Sequence, residues 1–194
     1  MLIFCISLIF MQSCGKSGSK VGGADNSDNP QVQVEMEDGS TFVIELYPEY
    51  APKTVENFLK LVNSGFYDGL TFHRIVDGFM AQGGGYDADG VEKKADTITG
   101  EFANNGFTQN TLKHTTGVIS MARIGGQNDS ASSEFFIMLG DNSFLDGDYA
   151  AFGKVIEGMD VVTNFQKVER TMNSMGEVAT PVTPVVIKKM TELK

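Results

Sequence analysis

Residues 31–47 alternate between apolar and polar side chains with the two-residue period of β-strands. Residues 31–37 read QVQVEME, and residues 41–47 continue in β-branched and aromatic types. Asp38-Gly39 between them is a dipeptide typical of tight hairpin turns. The pattern predicts a β-hairpin.

A helical period follows, beginning at Pro52. Its apolar positions recur three or four residues apart, at Val55, Phe58, Leu59 and Val62. Proline suits the first turn because its fixed φ is helical and it leaves no N–H unpaired, and Gly65 suits the left-handed position after the last turn. The pattern predicts one amphipathic helix here and a second, shorter one over residues 159–166.

Short apolar segments separated by Gly, Asn and Asp make up the rest of the chain. They cover residues 70–76, 79–82, 117–122, 134–139 and 150–156. A last strand is predicted for 182–190, with an interruption at Pro184. Many short strands with only two helices favour a mainly β fold, an antiparallel closed barrel or a sandwich, over a βαβ fold.

The first residues predict export and membrane attachment. Residues 2–10 (LIFCISLIF) have the length of a signal-peptide core and are too short to span a bilayer. Residues 11–15 (MQSCG) resemble a bacterial lipobox, in which the cysteine, here Cys14, is lipidated and becomes the new N-terminus. No basic residue precedes Leu2, and Gln12 is bulkier than is usual in the motif. A plain signal peptide with an incidental cysteine is therefore the alternative.

Residues 15–29 consist mostly of Gly, Ser, Asn and Asp, which cannot bury enough apolar surface to fold. We expect three parts: a lipoprotein signal peptide at 1–13, the lipidated cysteine with a flexible tether at 14–30, and one folded domain at 31–194. The expected location is the bacterial cell envelope, with the domain held to a membrane by the N-terminal lipid and facing the periplasm or the cell surface.

Net charge and the numbers of cysteines and histidines argue against several classes of partner and site. The formal net charge is −10, which argues against a nucleic-acid partner, because binding phosphates requires an excess of Lys and Arg. Both cysteines, Cys5 and Cys14, precede the domain, so it holds no disulfide and no thiol nucleophile. With two histidines and no HExxH or CxxC spacing, the sequence predicts no metal and no other cofactor. A domain of this size can bury its own core, and we expect a monomer.

Residues 69–85 (GLTFHRIVDGFMAQGGG) place one arginine, Arg74, close to Phe79, Met80 and Gln82. Taken alone, the pattern also fits a surface arginine beside a strand that packs into the core. The glycines at 83–85 lack the Lys-Ser/Thr ending of a phosphate-binding loop, and no GxSxG motif suggests a Ser-His-Asp arrangement. Phosphoryl transfer and serine hydrolysis are not indicated.

Four segments in order resemble the successive signatures of cyclophilin-type peptidyl-prolyl cis/trans isomerases. They are FHRIVDGFMAQGG at 72–84, LKHTTGVISMAR at 112–123, SSEFFIML at 132–139 and FLDGDYAAFGKVIEGMDVV at 144–162. The resemblance covers residues 31 to about 191. It implies a closed eight-stranded antiparallel barrel capped by two α-helices, with a groove for proline-containing peptides on its outer face.

The resemblance also implies roles for individual residues. The family's catalytic arginine falls on Arg74, and Gln82 matches the glutamine that orients this arginine and contacts the substrate backbone. The proline-ring pocket falls on Phe79, Met80, Phe136 and Leu145. The other substrate-binding positions are Ala122, Arg123, Glu134, Phe144 and Tyr149.

Five positions depart from the usual family pattern. Phe144 stands where tryptophan is often found and Tyr149 where histidine is often found, a combination that resembles the exported bacterial branch. Glu134 replaces a glutamine and Arg123 an asparagine, and both change the charge of the groove. Asp77 replaces a proline in a turn.

The implied chemistry needs no nucleophile. Rotation about an Xaa-Pro bond is slow because amide resonance imposes a barrier of about 18–20 kcal/mol. A donor held against the proline nitrogen would stabilise the twisted state over both planar states. The sequence therefore predicts an isomerase that acts on proline-containing unfolded or folding polypeptides during the folding of exported proteins.

Two other classes of protein are alternatives. A non-catalytic proline-binding or chaperone module would keep the aromatic pocket but lose Arg74 or Gln82, and this chain retains both. A lipoprotein hydrolase on another β fold would require a nucleophile paired with a base, and the sequence suggests no such pair.

Overall fold

A computed structural model of the protein describes residues 29–194. The strands of this part are β1 (Gln31–Met36), β2 (Thr41–Leu46), β3 (Leu70–Val76), β4 (Met80–Asp87), β5 (Val118–Met121), β6 (Phe135–Met138), β7 (Ala151–Glu157), β8 (Arg170–Met172), β9 (Val178–Pro181) and β10 (Ile187–Leu193). The helices are α1 (Pro52–Asn63) and α2 (Met159–Asn164), and a 3-10 turn at Phe165–Lys167 continues α2. Cys14, the predicted signal peptide and most of the predicted tether lie outside the described residues.

Eight strands form one antiparallel sheet in the order β10-β1-β2-β7-β5-β6-β4-β3, and β8 and β9 form a separate two-stranded sheet. The prediction of a mainly β fold with an eight-stranded antiparallel sheet and two helices is confirmed. The predicted β1–β2 hairpin is also confirmed, with Asp38-Gly39 at its turn.

The prediction of a closed barrel is wrong, because the sheet is an open half-barrel. Its edge strands β3 and β10 share no ladder. Instead β3 meets the residues at the start of β10 through the isolated bridge Thr71–Val186, flanked by backbone bonds from Phe72 N–H to Val185 O and from Gly69 N–H to Ile187 O. The reason lies at Pro184, which has no N–H to donate to a ladder. The strand predicted for 182–190 therefore begins only at Ile187, and too few of its residues lie opposite β3 to form a ladder with it.

Helix α1 forms as its apolar spacing predicts and packs on the main core. Its buried residues are Thr54, Val55, Phe58, Leu61 and Val62. The ring of Phe58 lies 5.1 Å from that of Phe152 and 5.7 Å from that of Phe135, measured between centroids. Gly65, at φ 68°, ends the helix in the left-handed conformation and donates its N–H to Val62 O. No helix within residues 29–194 is long and apolar enough to cross a membrane.

A side chain from a distant loop caps the N-terminus of α1. Ala51, at the N-cap position, offers no side-chain acceptor. Instead the carboxylate of Glu101, which is buried, accepts bonds from Lys53 N–H at 3.0 Å, from Thr54 N–H at 2.8 Å and from the Thr54 hydroxyl at 2.8 Å. These bonds satisfy donors that a helix end leaves unpaired, and a negative charge is favourable at this end of the helix dipole. Glu101 thus fixes α1 against the loop that precedes β5.

Replacing Glu101 by alanine should lower the free energy of unfolding by about 3 kcal/mol, because it leaves buried donors without their acceptor. Glu101→Gln keeps one acceptor oxygen and should cost less. The exposed Glu157, changed to alanine, is the control and should change stability by less than about 0.5 kcal/mol. Urea titration measures all three variants. A Glu101→Ala protein that is as stable as the control would show that the cap does not support the fold.

Candidate active site

A second apolar cluster lies on the face of the sheet opposite the main core. Successive side chains of a strand point to opposite faces, so Ala81, Phe135 and Ile137 join the main core while Met80 and Phe136, their neighbours in sequence, join the second cluster. We call this second group the outer cluster. Its buried members are Met80, Val118, Phe136, Met138, Leu145 and Ala151, and the partly buried residues packed against them are Val76, Phe79, Leu112, Ala122 and Tyr149.

The outer cluster brings together most of the residues assigned to substrate binding. All four residues of the predicted proline pocket, Phe79, Met80, Phe136 and Leu145, belong to it, as do Ala122 and Tyr149. Val118, Met138 and Leu112 also belong to it and were not predicted from the sequence. Val118 and Met138 could be located only by their place in apolar segments, which does not tell one face of a strand from the other, and Leu112 lies in none of these segments.

A tight turn holds Phe79 at the edge of the cluster. The turn residues Asp77–Phe79 join β3 to β4, and Gly78 has a φ of 64°, which a side chain would disfavour. Gly140 passes so close to Gly78 that a Cβ on Gly140 would collide with the Gly78 carbonyl. Phe79 O accepts a bond from Leu139 N–H at 2.9 Å, which ties the turn to the end of β6.

Arg74 extends from β3 beside this turn and is mostly buried, with 19% of its side chain exposed. Its Nη1 lies 3.6 Å from Met80 Sδ and 3.4 Å from Gln82 Oε1, and its Cζ lies 6.0 Å from the centroid of the Phe79 ring. A permanent cation with several N–H donors therefore stands at the rim of an apolar cluster.

The strongest contact of Arg74 is with a residue that the sequence did not predict at this site. Glu177 accepts bonds from Arg74 Nη2 at 2.6 Å and from Nε at 2.8 Å, and this bidentate contact lowers the pKa of Glu177 to about 2. By comparison the predicted orienting contact, with Gln82, is single and long. Glu177 lies 103 residues after Arg74, and the residues around it carry no strand or helix period that could have located it.

Gln82 links Arg74 to a second carboxylate. Gln82 Nε2 donates to Glu134 Oε2 at 2.7 Å, and this oxygen lies 3.6 Å from His73 Nε2. Burial raises the pKa of Glu134, and burial together with the charge of Arg74 lowers the pKa of His73 to about 4. His73 is thus neutral at pH 7, so its contact with Glu134 is not an ion pair. Within residues 29–194, no partner satisfies His73 Nδ1.

Arg123 and Phe144 lie beside the outer cluster rather than within it. The guanidinium of Arg123 lies 4.8 Å from the Tyr149 ring centroid, and its Nε donates to Asp148 O at 2.9 Å. Tyr149 in turn meets Phe136 edge-to-face at 5.7 Å. Phe144 is 67% exposed, with its ring 5.7 Å from that of Phe79. The substrate-binding positions predicted from the sequence therefore form one continuous surface.

Beneath Phe136 the structure shows a Ser-His-Asp chain that the sequence did not suggest. His114 Nε2 lies 3.0 Å from Ser120 Oγ, and His114 Nδ1 lies 3.1 Å from Asp146 Oδ1. The imidazole stacks on Phe136 at a centroid distance of 6.0 Å. Ser120 is fully buried, so a substrate cannot reach its hydroxyl and it cannot act as a nucleophile. The chain instead supports Phe136 from below, and it gives the hydrolase alternative no exposed nucleophile.

Comparison with known proteins agrees with this geometry. The sequence profile of the family described as "Cyclophilin type peptidyl-prolyl cis-trans isomerase/CLD" matches residues 31–192. Peptidyl-prolyl cis-trans isomerase A of Dickeya dadantii is 42% identical over 149 residues, which cover 74% of this chain and 75% of that protein. Peptidyl-prolyl cis-trans isomerase B of Bacillus subtilis is 44% identical over 129 residues, which cover 66% and 85%.

Among solved structures, a cyclophilin type peptidyl-prolyl cis-trans isomerase of Cryptosporidium parvum is similar, with a TM-score of 0.66 and 26% identity over 86% of this chain and 98% of that chain. The half-barrel and its outer cluster define a cyclophilin fold. The chain belongs to the cyclophilin-type peptidyl-prolyl cis-trans isomerase family and is a peptidyl-prolyl cis-trans isomerase. In the part of the chain that the structure describes, no group of three or more His, Cys, Asp or Glu side chains could hold a metal.

Acid should destabilise the domain through His73. Its pKa is about 4 when folded and about 6.5 when unfolded, so between these values the unfolded state binds more protons. The free energy of unfolding should therefore fall as the pH is lowered from 6.5 to 4. Burial also lowers the pKa of His114, which adds to the same trend.

Urea titrations at pH 7, 5.5 and 4 measure this dependence. His73→Gln should flatten it relative to the wild type, because it removes the proton uptake of one group, while His114 continues to contribute. If the variant and the wild type lose the same free energy over this range, the pKa of His73 is not lowered by the fold.

Proposed function

We propose that the isomerase activity resides at Arg74 and the outer cluster, and that it acts on Xaa-Pro bonds of unfolded or folding polypeptides exported to the cell envelope. The observation that carries this proposal is the position of the guanidinium: Arg74 Nη1 lies 3.6 Å from Met80 Sδ, at the rim of an apolar surface made by Phe79, Met80, Phe136 and Leu145.

Each part of this surface has a separate task in the proposed mechanism. The apolar residues hold the proline ring still while the acyl group before it rotates. As the amide twists, its nitrogen regains a lone pair, and a donor from Arg74 interacts with this nitrogen more strongly than in either planar state. Since arginine stays protonated at all relevant pH values, the step needs no proton transfer and no cofactor.

A related structure supports a proline-containing ligand. The Cryptosporidium parvum cyclophilin type isomerase was also solved in the presence of the dipeptide Ala-Pro, and that structure matches this chain with a TM-score of 0.65. We infer that this chain also binds proline-containing segments. Phe144 and Arg123, at the two sides of the outer cluster, are positioned to contact the residues that flank the proline.

Arg74→Ala should reduce kcat/KM for a proline-peptide substrate by roughly 10²–10³-fold, as the loss of one transition-state donor does in other enzymes. Arg74→Lys keeps the charge but loses the planar set of donors, and it should fall between the wild type and the alanine variant. A protease-coupled isomerisation assay measures the rates, and circular dichroism checks the fold. A folded Arg74→Ala protein with near-wild-type kcat/KM would contradict the proposed role of Arg74.

We also propose that Cys14 is lipidated and anchors the enzyme to a membrane of the envelope, with the domain acting as a monomer at the end of a flexible tether. The support comes from the sequence alone: a short apolar segment, a cysteine in a lipobox-like context and a polar stretch before the domain. An anchored isomerase would meet exported chains while they are still unfolded.

Mass spectrometry of the mature protein from a bacterial host tests the anchor. The expected N-terminus is a lipid-modified Cys14, with the protein in the membrane fraction. Cys14→Ser should abolish this modification, and Cys5→Ser, the matched control, should leave it intact because residue 5 lies in the segment that is removed. An unmodified N-terminus would instead support the alternative of a plain signal peptide.

A further inference from the structure

The hairpin β8–β9 stands apart from the main sheet and packs against β3, the strand that carries Arg74. Its register pairs Arg170 with Pro181 and Met172 with Val178. Glu177 and Ala179 are two residues apart and share one face of the hairpin. Ala179 is fully buried, whereas Val178 is exposed, so the face with Glu177 is the one turned towards β3.

The Glu177 carboxylate is itself held in place. Asn173 Nδ2 donates to Glu177 Oε2 at 2.9 Å, and Asn173 Oδ1 accepts bonds from Glu177 N–H at 2.9 Å and from Met175 N–H at 3.0 Å. The backbone N–H of Asn173 donates to Glu177 O at 2.8 Å. The turn therefore presents the carboxylate in one orientation.

A second ion pair, between Arg170 at the start of β8 and Asp77 in the β3–β4 turn, holds the other end of the hairpin. Arg170 donates from Nη1 to Asp77 Oδ1 at 2.6 Å and from Nη2 to Asp77 Oδ2 at 2.9 Å, and Nη2 also donates to Gln166 O at 2.9 Å. Asp77 belongs to the turn that carries Phe79. The hairpin is thus tied both to the turn and to Arg74.

The two contacts of the Arg74 guanidinium differ in strength. Glu177 binds Nε and Nη2 together, which fixes the plane of the group, whereas Gln82 meets Nη1 through one contact of 3.4 Å. Nη1 is the nitrogen that faces Met80 and the outer cluster. Glu177 therefore engages the far edge of the guanidinium and leaves the edge beside the cluster for a substrate.

We propose that Glu177 is a positioning residue for isomerisation, which holds the Arg74 guanidinium in the orientation that presents Nη1 to the proline-binding surface. This inference rests on the proposed function, in which Arg74 is the catalytic donor. A long arginine side chain has many rotamers, and fixing it before the substrate binds removes that ordering cost from the reaction. Since the pKa of Glu177 is about 2, the carboxylate stays charged and keeps its hold throughout the pH range in which the enzyme would work.

Glu177→Ala tests this role. We expect kcat to fall about 10-fold while KM for the proline peptide changes less than 2-fold, because the apolar cluster is untouched. Glu177→Gln keeps one acceptor oxygen and should recover part of the loss. Asp77→Asn is the matched control: it removes the other arginine–carboxylate pair of the same hairpin, leaves Glu177 in place, and should change kcat less than 2-fold.

A double variant shows whether Glu177 acts through Arg74. In an Arg74→Ala background, Glu177→Ala should have no further effect on the residual rate. An unchanged kcat for Glu177→Ala would overturn the inference, because it would show that the contact is only a surface ion pair. A raised kcat would also overturn it, because it would show that Glu177 holds Arg74 away from the substrate. An Asp77→Asn loss as large as that of Glu177→Ala would mean that only hairpin docking matters, which also overturns it.

The same set of proteins separates this inference from the proposed function. If Arg74→Ala is inactive and Glu177→Ala is fully active, only the positioning role fails. If Arg74→Ala is fully active, the proposed function of Arg74 fails first, whatever Glu177 does.

Discussion

The alternation of side chains along β4, β5, β6 and β7 is the constraint on which both the fold and the site depend. These strands carry apolar residues on both faces, and their inner residues fill the main core while their outer residues form the outer cluster, the proposed proline-binding surface. A shift of one residue in the pairing of β4 with β6 would turn one strand over relative to the other, so that either Met80 or Phe136 would leave the outer cluster for the core. Any change that disturbs this register therefore disturbs stability and substrate binding together.

Around this apolar surface the polar groups act as supports. His114 and Asp146 hold the floor of the cluster under Phe136, and Glu177 and Gln82 hold Arg74 at its rim. Two departures from the usual family pattern change the charge of the site: Glu134 adds a partly buried carboxyl group behind Gln82, and Arg123 adds a positive charge beside Tyr149. The Arg74 guanidinium thus stands beside the carboxylate of Glu177 and, through Gln82, near the carboxyl group of Glu134, within a protein whose net charge is −10.

How far the sequence predicts this structure depends on the kind of signal each element carries. The hairpin β1–β2 and helix α1 face solvent on one side, so their periods are visible in the sequence and they were predicted correctly. In β5 and β6 all residues are buried, because both faces are covered, and the alternation is hidden in a continuous apolar run. The sequence located these strands but did not show which residues face the outer cluster.

The missed features are those decided by tertiary contacts. The predicted neighbours of Arg74 were taken from the family resemblance, which did not include Glu177. Glu177 reaches Arg74 only because the hairpin β8–β9 packs against β3. The Ser120–His114–Asp146 chain has no local motif because β5 and the loop before β7 bring its members together. A closed barrel was favoured by the many short strands and implied by the family resemblance, but Pro184 interrupts the last strand and the sheet stays open.

The meeting of β3 with the start of β10 has a consequence for the proposed action on unfolded chains. An extended polypeptide adds readily to a bare strand edge, where rows of free N–H and C=O groups invite pairing and aggregation. Here the two edges of the main sheet face each other across a single bridge, and β9 lies alongside β3. Under the proposed function, an unfolded client would therefore meet the side chains of the outer cluster instead of a backbone edge that would retain it as an additional strand.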